Sequence, residues 1–142
     1  QELNLLLFKK EHREYDKLLD LNWTFGEVGT KYFKELIEEE DSCVFVAEDD
    51  GKIIGYLAGS ETEAEDYRKL PKVAELDNML VLKENRGSGI GRKLYDAFIE
   101  WCKSRDVKIV RIQATAQNKD AIEYYHKMGL KDYTLILEGK IQ

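Results

Sequence analysis

The chain has 142 residues, 43% of them apolar and 35% charged, with a formal net charge of −6. That length supports one domain over residues 1–142 with a core of its own. The acidic balance argues against nucleic-acid binding, which needs clustered Lys and Arg against phosphate, and no apolar run approaches the ~20 residues of a membrane span.

Taken in chain order, Leu3 to Phe8 reads as a first strand, and Glu11 to Leu21 carries Tyr15, Leu18 and Leu19 at helical spacing. Asn22 to Gly29 is expected to be a loop. Thr30 then caps a helix running to about Glu39, with Tyr32, Phe33, Leu36 and Ile37 on its apolar face. Val44 to Glu48 and Lys52 to Gly59 are β-rich runs joined by Asp49-Asp50-Gly51, a hairpin signal. Glu61 to Leu70 is polar, a loop or short exposed helix ended by Pro71, and Val73 to Leu82 is a fourth strand. Arg92 to Lys103 follows as an amphipathic helix burying Leu94, Ala97, Phe98 and Trp101. Lys108 to Ala114 alternates as a fifth strand. Asn118 caps a last helix, Ala121 to Met128, which Gly129 ends. Tyr133 to Leu137 closes the chain as a final strand. The order β-α-α-β-β-β-α-β-α-β specifies an α/β mixed sheet, in which the strand–helix–strand unit from 73 to 114 is a right-handed crossover between two parallel strands.

No basic-then-apolar leader opens the sequence, so a cytoplasmic protein is expected. Cys43 and Cys102 are expected to be buried thiols rather than a disulfide framework. His12 and His126 stand outside any metal-ligand spacing, and no metal is expected. The acidic surface suits attraction of a cationic substrate as well as simple solubility.

The segment richest in chemistry is Arg86-Gly87-Ser88-Gly89-Ile90-Gly91. Glycines between a strand and a helix start leave amides bare beside the positive end of the helix dipole, which suits a phosphate or pyrophosphate. A P-loop needs Gly where Arg92 stands, and a dinucleotide fingerprint needs its third Gly at the same place; both spacings fail. Arg-x-x-Gly-x-Gly, through Arg86, Gly89 and Gly91, fits. A second motif reads Asn118-x-x-Ala121-x-x-x-Tyr125-x-x-x-Gly129-Leu130.

Together these motifs resemble the coenzyme-A loop and the following Asn/Tyr motif of the GCN5-related N-acetyltransferase (GNAT) superfamily, with Leu130 in place of a usual Phe. The resemblance covers most of Leu3 to Leu137. It implies a mixed sheet with splayed central parallel strands and acetyl-CoA as co-substrate. Met79, Leu80 and Val81 would pair with the pantetheine arm, and a β-bulge near Asn78 to Leu80 would free their backbone groups. Amides from Gly87 through Ser88, Gly89, Ile90 and Gly91 to Arg92 would hold the pyrophosphate, with Arg86 and Arg92 adding charge. Asn118 would contact pantetheine, and Tyr125 would serve the thioester sulfur as acid. Trp23, Phe25, Glu27 and Tyr32 lie where the family walls its acceptor, and homodimers are common in it.

Acetyl transfer needs a neutral amine, and only about one lysine-like amine in 2,500 is neutral at pH 7, so a base helps. Asp77 is the first candidate and Glu75 the second. Strict alternation would put Glu75, Asp77, Met79 and Val81 on one face of their strand, with Leu76, Leu80 and Leu82 on the other. The expected activity is direct acetyl transfer to a primary amine, either a small cationic amine or a protein lysine or N-terminus. The alternative is a catalytically silent coenzyme-A-binding regulatory module. Each residue also has a plain structural role open to it: Asp77 as a solvated carboxylate, Tyr124 and Tyr125 as packing residues, Asn118 as a helix cap.

Overall fold

A computed structural model describes residues 1–70 and 72–141. Pro71, expected to end the polar segment, lies outside the described residues.

The chain opens with α1 (Glu2–Glu14), a 3-10 turn at Trp23–Phe25, and α2 (Glu27–Glu38). Strands β1 (Ser42–Asp49), β2 (Lys52–Thr62) and β3 (Val73–Val81) follow, then a second 3-10 turn at Lys83–Asn85. The chain continues through α3 (Ile90–Ser104), β4 (Ile109–Ile112) and α4 (Lys119–Lys127). The sheet runs β1-β2-β3-β4, antiparallel except for the last pair, which is parallel. The expected α/β mixed sheet is therefore present. So is the tight hairpin at Asp50-Gly51, where both residues take positive φ.

Two end strands of the expected order are not formed. Leu3 to Phe8 lies inside α1. An apolar run this short cannot be told from a helix by period alone. Here Leu3, Asn4 and Leu7 share one helical face, with Leu3 and Leu7 packed on the inner cluster and Asn4 buried. That helix ends at Glu14 rather than continuing to Leu21, and Leu18 is 86% exposed. Tyr133 to Leu137 takes no regular structure and exposes Leu135, Ile136 and Leu137. Its β propensity has no partner ladder on which to act.

The sheet separates two apolar clusters. Leu57, Ala74, Leu76, Leu94, Tyr95 and Phe98 pack between the sheet and α3. Phe33, Leu36, Tyr56, Ala58 and Leu80 pack between the sheet and α2. Gly59 allows the close approach of β2 to α3, because a Cβ there would sit 2.6 Å from the Phe98 ring. Among the described residues no helix is long and apolar enough to cross a membrane. Cys43 and Cys102 are buried free thiols, pushed by burial up to about 12 and about 11, so neither supplies a thiolate.

Candidate active site

The site begins with an irregularity in β3. Asn78 pairs with Ala58 of β2, but the next β2 residue, Gly59, pairs with Leu76, so Asp77 is an extra residue in the ladder. The bulge lies one residue before the segment expected to hold it. It also breaks strict alternation, because the two faces exchange at Asp77. Beyond the bulge Met79 and Val81 join Leu76 on the α3 side, while Asp77, Asn78 and Leu80 face α1 and α2. Asp77 and Met79 thus stand on opposite faces.

The same strand splays from its parallel neighbour. Pairing with β4 stops at Leu76–Ile112, whereas β3 continues to Val81 against β2. Leu82 N–H donates to Ile54 O at 2.8 Å. Alternation of the ladder then directs Leu80 toward β2, and Met79 and Val81 toward the open side. Val81 O on that side accepts from Arg86 Nε at 2.9 Å.

At the end of the opening lies the glycine turn. Gly87 and Gly89 take φ of 79° and 83°, the left-handed region where a side chain is strained. A Cβ at either would meet nothing within 4 Å, so backbone conformation, not space, selects glycine. Gly91 is different: a Cβ there would sit 2.9 Å from Tyr124 Oη. Lys93 N–H is the first of the helix to bond, to Gly89 O at 3.0 Å. Among the described residues the amides of Gly87 to Arg92 have no acceptor, and they sit at the positive end of α3. Ser88 Oγ donates back to Asn85 O at 2.7 Å, and Arg92 pairs with Asp96 at 2.8 Å.

Asn118 caps α4, its Oδ1 accepting from Ala121 N–H at 3.2 Å. Its Nδ2 donates to Glu11 Oε1 at 3.1 Å, and Thr115 Oγ1 donates to Glu11 Oε2 at 2.9 Å. Glu11 therefore ties α1 to the turn before α4, a contact across more than a hundred residues that no local pattern announces. Tyr125 is half-buried against the α3-side cluster, in edge contact with Tyr124 at 5.4 Å. Burial, then the neighbouring Tyr124 and Tyr95 phenols, raise its pKa, so it stays protonated.

On the other face, Asp77 borders a cavity of about 250 Å³. Tyr32, Ser60 and Asp77 line it together with Glu35, Glu39 and Asp41, three exposed carboxylates. Glu61 also borders it but is paired with Arg105 and with Lys72. Asp77 Oδ2 accepts from Tyr32 Oη at 3.3 Å and from Ser60 Oγ at 3.4 Å. Burial is the main cause raising Asp77 to about 6, helped by Glu75 and opposed by these two donors. Glu75 itself accepts from Gln113 Nε2 at 2.9 Å. Of the expected acceptor-side residues, Tyr32 reaches Asp77. Trp23 stacks on Phe8 and meets Tyr32 at a tilt of 54°, each ring centroid 5.4 Å away. Glu27 and Phe25 are exposed and take no part in these contacts.

A family model described as Acetyltransferase (GNAT) family matches residues 8–130. A Methanocaldococcus jannaschii protein, described as an uncharacterized N-acetyltransferase, is 31% identical over 132 residues. The match covers 93% of this chain and only 57% of that relative. A tetramutant of the BH1408 protein from Bacillus halodurans superposes with a TM-score of 0.85 at 22% identity, over 99% of this chain and 90% of that one. An aminoglycoside N-acetyltransferase in complex with CoA superposes with a TM-score of 0.70 at 17% identity, over 94% and 95% of the two chains. These two structural likenesses show the fold.

Proposed function

Because this chain belongs to the GNAT family of acetyltransferases, we propose that it moves an acetyl group from acetyl-CoA directly to a primary amine, both held at once on opposite sides of the β3 bulge. The bare amides from Gly87 to Arg92 beside the open edge of β3 carry this reading. They suit a diphosphate, and the open side of Met79 and Val81, where Val81 O is held by Arg86 Nε, suits a pantetheine chain running along it. The solved aminoglycoside N-acetyltransferase of the same fold holds CoA, which supports this choice of acyl donor.

The acceptor enters from the acidic cavity. Its exposed Glu35, Glu39 and Asp41 favour a cationic amine over a neutral one. Asp77 accepts a proton as the ammonium becomes a neutral amine, with its raised proton affinity matched to that task near neutral pH. The amine nitrogen forms a bond to the thioester carbonyl carbon, and the Val81 amide stabilises the charge that develops on the carbonyl oxygen. As the carbon–sulfur bond breaks, Tyr125 donates a hydrogen bond or its proton to the thiolate, and the nitrogen releases its second proton to solvent, or back to the phenolate if Tyr125 has given its own, as the amide forms. A full transfer from a phenol to a thiolate is uphill by about 2 kcal/mol at ordinary pKa values. Asn118 holds the pantetheine by exchanging its bond to Glu11. Glu75, held by Gln113, raises the proton affinity of Asp77 rather than reacting.

A panel of amines incubated with acetyl-CoA, with free thiol followed over time, tests this reading. Thiol release that depends on a cationic amine is expected. Coenzyme binding without release for any amine would favour a silent binding module instead.

A further inference from the structure

The polar side chains behind Asp77 are connected in one direction. Thr24 Oγ1 donates to Asn4 Oδ1 at 2.8 Å, and both residues are fully buried. With its oxygen taken, Asn4 turns its Nδ2 inward, donating to Tyr56 Oη at 3.1 Å and Asn78 Oδ1 at 3.3 Å. Asn78 Oδ1 being occupied, its Nδ2 donates to Tyr32 Oη at 3.0 Å. The proton left on Tyr32 then points at Asp77 Oδ2. Each amide orientation follows from the one before it, and the series starts at a hydroxyl sealed from water.

We propose that Thr24, Asn4, Asn78 and Tyr32 form a one-way hydrogen-bonded series that positions Asp77, directing the Tyr32 hydroxyl at its Oδ2 beside Ser60 and leaving Oδ1 for the incoming amine. Asn4 and Asn78 are positioning residues, since they act only through Tyr32. The proposal rests on the reading of Asp77 as the base. The bulge is what makes it possible, because it sets Asp77 and Asn78 on the same face of β3.

The series opposes its surroundings. Burial and the charge of Glu75 on β3 favour the protonated form of Asp77; Glu35 on α2, Glu39 just after it and Asp41 before β1 line the same cavity, and Glu61 on β2 is paired with Arg105 and Lys72. Donors aimed at the carboxylate work the other way and stabilise its ionised form. Carbon-detected NMR titration of the Asp77 carboxyl in the unliganded protein reads this balance without any turnover. In Tyr32→Phe, which keeps the ring and removes the hydroxyl, the midpoint should rise by about half a unit or more. Asn78→Leu, which does not touch the carboxylate, should raise it by a smaller amount in the same direction. An Asp77 midpoint unmoved in folded Tyr32→Phe, or unmoved in folded Asn78→Leu, overturns the proposal. The acid limb of kcat/KM should shift with the NMR midpoint. A moved midpoint with an unmoved limb would uphold the series and remove Asp77 as the base.

Discussion

Asp77 is held in a conflict that separates stability from activity. Its ordinary value is 3.8 and burial lifts it to about 6 in the folded protein. A carboxyl raised on folding favours the native state below its unfolded value, and that contribution is lost as pH rises through about 6. Ionised Asp77 therefore costs about 2 kcal/mol above that pH, once its partial exposure is allowed for. Asp77→Asn should raise the urea midpoint at pH 8 by the equivalent of about 1–2 kcal/mol and give no gain at pH 3, while turnover falls at least tenfold. Tyr125→Phe should lower kcat about 10–100-fold with acetyl-CoA affinity in calorimetry changed by less than about twofold. An unchanged kcat would remove Tyr125 as the acid.

At the scale of elements, the glycine turn and α3 are where sequence and structure agree most closely. The reason is local: positive φ at Gly87 and Gly89 and a bare helix start are properties of a few consecutive residues. Gly89→Asp should abolish acetyl-CoA binding in calorimetry while the protein stays folded, since a carboxylate would stand among the phosphate-facing amides in a strained backbone. Asn118 was legible for the same reason, as a cap beside its own helix. What stayed hidden depends on distant partners. Leu3 to Phe8 became helix because Leu3 and Leu7 have a cluster to bury against, which no six-residue window reveals. Asn4 stands among leucines in the sequence, and it joins α1 to β2 and β3. Glu11 likewise acquires meaning only when α4 arrives beside α1. The bulge was anticipated from the family resemblance, but its position at Asp77, and hence which side chains share a face, required the paired strands.

Over the whole molecule, a net charge of −6 attracts cations and repels anions, so the proposed cationic acceptor would be drawn in, and the proposed acyl donor would have to be captured at short range by the bare amides. Raising ionic strength from about 0.02 to 0.5 M should lower kcat/KM for a diamine several-fold, as the Debye length shrinks from tens to a few ångströms. It should leave the value for an uncharged hydroxylamine-type acceptor nearly level, and equal sensitivity of both would count against attraction by the cavity carboxylates.

Beyond Leu130 the chain leaves the core. Tyr133 is still gripped between Arg68 and Arg111, with Arg68 4.5 Å from its ring centroid, but Leu135, Ile136 and Leu137 stand 70–84% exposed. Four uncharged, strand-prone residues in a row, Thr134 to Leu137, make an adhesive strip on an otherwise well-hydrated particle. Concentrated solutions should scatter light because of that strip, and Ile136→Lys should clear them and leave turnover unchanged.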